Sequence, residues 1–74
     1  MMAERTDELK KLADIATDVE ISSELRIKAT EQISRIGTRE ALLVLLELVA
    51  NEKLVNKERE FALKQASKII KSSR

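Results

Sequence analysis

The chain has 74 residues, with 14 Lys or Arg against 13 Asp or Glu, and contains no Cys, His, Pro, Trp or Tyr. So even a charge balance offers no global attraction to nucleic acid or to an anionic membrane, and without thiols or imidazoles there are no disulfides, thiolate nucleophiles, imidazole bases or usual zinc sites. One small domain over residues 1–74 is expected, near the size at which a single core is only just sufficient, so its stability is expected to be marginal unless the chain associates. A single Gly and 36% charged residues, many of them strong helix formers, point to an all-α fold.

The amino end, Met1 to Glu8, has no apolar run behind it and does not read as a secretory signal, so a cytoplasmic location is expected. The first helix is expected to begin at Thr6, whose hydroxyl is placed to cap free amides while Asp7 and Glu8 oppose the positive end of the dipole. Leu9, Leu12, Ala13, Ile15 and Ala16 then recur at helical spacing. Val19 and Ile21 anchor a short connection, and Ser22 or Ser23 caps a second helix in which Leu25, Ala29, Ile33 and Ile36 share one face. Gly37 ends that helix by supplying a left-handed residue. Thr38 caps the third helix at once, which forces the second and third helices to lie antiparallel or at a steep angle.

The third helix holds the stretch Ala41 to Ala50, apolar at every position but Glu47. It is half the ~20 residues of a membrane span. It therefore reads as a core helix that must be contacted from several sides. Asn51 to Val55 form a loop, Asn56 caps the fourth helix, and that helix runs to about Lys71 with Ala62, Ala66, Ile69 and Ile70 as its buried stripe and Leu63 at the margin. Ser72, Ser73 and Arg74 are expected to fray.

The chain also repeats. An offset of 33 pairs Leu9 with Leu42, Leu12 with Leu45, Asp18 with Asn51, Arg26 with Arg59, Gln32 with Gln65 and Ser34 with Ser67. Two amphipathic helices aligned by chance match in apolar positions, but not readily in Arg, Gln and Ser as well. The chain thus reads as two helical hairpins, residues 5–37 and 38–70, of the kind that stack in repeat architectures.

Arg26-x-x-Ala29, the corner Ile36-Gly37, the Glu40-Ala41-Leu42 that follows, and the second Arg59-x-x-Ala62 together resemble the short HEAT-like repeats first noted in bilin lyases, which have an armadillo-like helical fold. The second copy lacks the Gly, and the loops carrying Asp18 and Asn51 are longer than the family's usual spacing. The resemblance implies a two-repeat fragment of an α-α superhelix that acts as a scaffold for other proteins. It also implies that Arg26 and Arg59 are structural ladder residues that pair with Asp18 and Asn51.

No catalytic, cofactor-binding or metal-binding residues emerge. Glu47 is a lone carboxylate without the second group that acid–base or metal chemistry needs, so no enzyme is expected. The two copies differ where Lys10 and Lys11 give way to Leu43 and Val44, away from the stripe shared by Leu42, Leu45 and Val49. Leu43 and Val44 are therefore the candidate residues for binding a protein partner or a second copy. On the fourth helix Lys57, Lys64, Lys68 and Lys71 fall on one side and are candidate phosphate contacts, making a weak nucleic-acid-binding module the alternative. Phe61 is the only aromatic available for base stacking, and Glu58 and Glu60 dilute the charge.

Overall fold

Short polar side chains at the joints set where the helices begin and end. The structure, a computed structural model, describes residues 2–72, with side chains described from Asp7 onward. It contains α1 (Met2–Ala16), α2 (Ser23–Ile36), α3 (Arg39–Ala50) and α4 (Asn56–Ser72). Ser22 caps α2, its hydroxyl accepting from the Leu25 N–H at 3.2 Å. Gly37 closes α2 at φ 66°, in the left-handed region where a residue without Cβ is favoured. Thr38 caps α3 through the Ala41 N–H at 3.1 Å.

Two boundaries differ from expectation. α1 begins at Met2, ahead of Thr6, because Ala3, Glu4 and Arg5 are strong helix formers and nothing in that segment breaks a helix. The expected cap by the Thr6 hydroxyl lies outside the described side chains, and the fraying expected of Ser73 and Arg74 lies outside the described residues. At α4 the Val55 carbonyl accepts from the Arg59 N–H at 3.1 Å, so the cap position belongs to Val55 and Asn56 is already helical.

The two loops share one construction. The Asp18 carboxylate accepts from the Glu20 N–H at 2.9 Å, and the Asn51 side-chain oxygen accepts from the Lys53 N–H at 2.9 Å. Each is a side chain bonding the backbone two residues on, which is the characteristic turn of Asp and Asn. α2 and α4 then start at Ser23 and Asn56, 33 residues apart, whereas α1 and α3 start at Met2 and Arg39, 37 apart.

α1 pairs with α2 and α3 with α4, giving two helical hairpins, and α2 also packs on both α3 and α4. Among the described residues α1 makes no contact with α4. A bundle closed about one axis would bring those two helices together, so the hairpins lie side by side with α2 central. The radius of gyration is 11.5 Å, close to the ~11 Å of a compact chain of this length.

Ile33, Leu45 and Leu48 are the largest fully buried side chains, with Leu9, Leu54 and five alanines around them. α3 is not enclosed on all sides, since Leu43 and Leu46 are exposed. Ile70, expected in the stripe of α4, is also exposed, and Glu58 and Gln65 are buried on that helix beside Ala62 and Ala66. Among the described residues no helix is long and apolar enough to cross a membrane.

Candidate interaction site

Among the described residues one ion pair closes the joint between the hairpins. Arg26 lies in the first turn of α2, opposite Glu58 in the first turn of α4. Its Nε donates to Glu58 Oε1 and its Nη2 to Glu58 Oε2, both at 2.9 Å. This is the two-pronged arrangement that a planar guanidinium makes with a carboxylate. The side chains are only 12% and 4% exposed, and the Ser23 hydroxyl donates a further hydrogen bond to Glu58. The hydrogen bonds from Arg26 hold the Glu58 carboxyl below its ordinary pKa, with help from Ser23 and against the opposing effect of burial. The same pairing raises the pKa of Arg26.

Arg26 also ties down its own corner, donating from Nη1 to the Asp18 carbonyl at 3.0 Å and the Ile21 carbonyl at 2.6 Å. The expected ladder thus takes another form. Arg26 meets Asp18 through the backbone, and Arg59 does not reach Asn51: its Nε donates to the Val49 carbonyl at 2.7 Å. The Asp18 and Asn51 side chains are already committed to their own turns. Val49 lies in the last turn of α3, where carbonyls lack helical partners and a cation is favoured, so Arg59 closes the second hairpin internally.

Leu43 is 51% exposed on α3, whereas Val44 is half-buried against the core. The exposed apolar neighbour of Leu43 on that helix is Leu46, one turn further on. Glu47 is exposed beside them. Lys57, Lys64, Lys68 and Lys71 are all exposed on α4. They do not share one groove: Lys57 and Lys64 line a depression with Ile27, Glu60 and Phe61, whereas Lys68 lines another with Ser34, Gly37 and Ile69.

Glu58 is the functional-looking residue that sequence reading passes over. An acid in a first helical turn reads as a favourable dipole partner facing water. The available signal is positional: Glu58 stands 33 residues after Leu25, and four before the buried Ala62, so it lies on the apolar stripe. A charge there requires a partner. No protein-family model, no curated protein and no solved structure matches this chain.

Proposed function

We propose that the chain is a non-enzymatic protein–protein interaction or scaffold module built from two HEAT-like hairpins. The observation that carries this reading is the pair Leu43 and Leu46, two large apolar side chains left in water on a helix whose Ala41, Leu45 and Leu48 are buried in the core. Exposed apolar side chains that stand together, as these do one turn apart on a helix, are what a contact surface offers a partner. The HEAT-like identity is supported by the 33-residue period in residue type, which the starts of α2 and α4 and the two loop turns also keep.

Light scattering across a concentration series tests the reading. Wild-type mass is expected to rise with concentration, and Leu43→Lys is expected to remain a monomer whose melting temperature matches that of wild type at dilutions where both are monomeric, because the side chain it replaces is half in water. If Leu43→Lys leaves both association and stability as they were, the α3 patch has no role.

A weak nucleic-acid-binding role is the second reading, supported by the exposure of all four lysines on α4. It predicts retention on immobilised DNA or RNA that falls steeply with salt. Flat, weak retention at low salt disposes of it.

A further inference from the structure

The internal joint shows what each open end of the molecule lacks. The first hairpin reaches across the joint through Arg26, and Ala16 and Thr30 of the same hairpin are buried. The equivalent positions in the second hairpin, 33 residues on, are Val49, Arg59 and Leu63. They line an open groove with Asn56 and Glu60, and Leu63 is 50% exposed. The second hairpin therefore presents outward the same face that the first uses to hold its neighbour. Arg59 spends Nε on the Val49 carbonyl, and among the described residues its terminal amines have no carboxylate partner.

The opposite end is not the complement of this one. The position equivalent to Glu58 in the first hairpin is Leu25, also 50% exposed, in an apolar groove with Leu12, Ile15 and Ala29. A second copy docked head to tail would set the Arg59 guanidinium against Leu25, removing the cation from water with no carboxylate to receive it.

We propose that the outer face of the second hairpin is a docking surface for a helical hairpin of a partner protein that carries a carboxylate as the third residue of its second helix. The terminal amines of Arg59, Nη1 and Nη2, receive that carboxylate end-on while Nε stays on the Val49 carbonyl, and Val49 and Leu63 cover the apolar side chains around it. The proposal rests on the interaction reading and deepens it, using a groove that neither Leu43 nor Leu46 of the α3 patch lines.

The probe is this chain with Leu25→Glu and Arg59→Ala, which supplies the carboxylate at the required position and cannot bind itself through the same face. Mixed with the wild type in sedimentation velocity runs, it is expected to form a 1:1 complex at least about tenfold tighter than wild type with itself, a gain of ~1.4 kcal/mol. The complex weakens with added salt and is lost when the wild type is replaced by Arg59→Ala. Circular dichroism checks that each variant is folded. Should Arg59→Ala unfold, Arg59→Lys keeps the charge without the two-pronged geometry and is expected to lose most of the gain.

No gain over wild type alone, or a gain that survives loss of Arg59, overturns the proposal. Wild-type self-association that depends on Arg59 also overturns it, by making a second copy the occupant. If the probe fails to bind while Leu43→Lys still abolishes association, this docking face falls and the interaction reading stands; if neither experiment shows association, both fall.

Discussion

At the scale of single residues the chain's most consequential side chain is Glu58, a carboxylate 4% exposed that accepts two hydrogen bonds from Arg26 and one from Ser23. Burial of such a group is tolerated only because its partners replace the water it loses. Removing it leaves a guanidinium in the joint without its counter-charge. Glu58→Ala is therefore expected to destabilise the fold by roughly 2–3 kcal/mol in urea denaturation. A double-mutant cycle with Arg26→Ala is expected to show strong coupling, since both changes break the same contact. The pH dependence has a defined sign. An unfolded glutamate titrates near ~4.3, and the folded pKa of Glu58 is lower, so the unfolded state takes up the proton first. The contribution is complete above ~4.3 and is lost as pH falls through the folded value. Wild type is expected to lose stability more steeply than Glu58→Gln over that acid range.

The four helices owe their limits to local chemistry, and most of those limits are legible in the residues. Ser22 or Ser23, Gly37 and Thr38 read as cap, stop and cap, and the structure selects Ser22 and places the other two so. Gly37 is needed for its backbone: a Cβ built there meets nothing closer than the Ser34 carbonyl oxygen at 3.7 Å, an ordinary contact, so the obstacle to a side chain is the φ of 66° itself. Gly37→Ala is expected to cost ~1–2 kcal/mol, the penalty of placing an L-residue in the left-handed region, measured as a lower melting temperature without a change in helical content. The joint carries this cost because α2 and α3 share it, with no spare residue to absorb a different turn. Less legible were the start of α1 and the cap of α4. A backbone carbonyl serves at Val55 where a side chain was expected, and cap chemistry leaves no mark in the sequence when the backbone alone supplies it.

For the whole molecule, the decisive packing lies between hairpins. Ile33 is fully buried on α2, the helix that touches both α3 and α4. Ile33→Ala is expected to cost about 2–5 kcal/mol, the range for emptying a well-packed aliphatic site. Because the site belongs to both hairpins, probes on α1 and on α4 are expected to report one shared transition in thermal melts. Equivalent positions with different exposure carry the same lesson. Ile15 and Leu25 are exposed at one end of the molecule, and their counterparts Leu48 and Glu58 are buried at the joint. Each hairpin has two faces, and only one face of each finds a neighbour. From the sequence alone came the all-α class, the four helices, their pairing as two hairpins and most helix ends, because helical periodicity, caps and the single Gly act within a few residues and need no partner. Tertiary structure alone decided that Arg26 pairs with Glu58, that Val44 is half-buried while Leu43 stays in water, and that Arg59 faces an open end. Burial and charge pairing depend on which neighbour lies alongside, and that is not written in the local pattern of either hairpin.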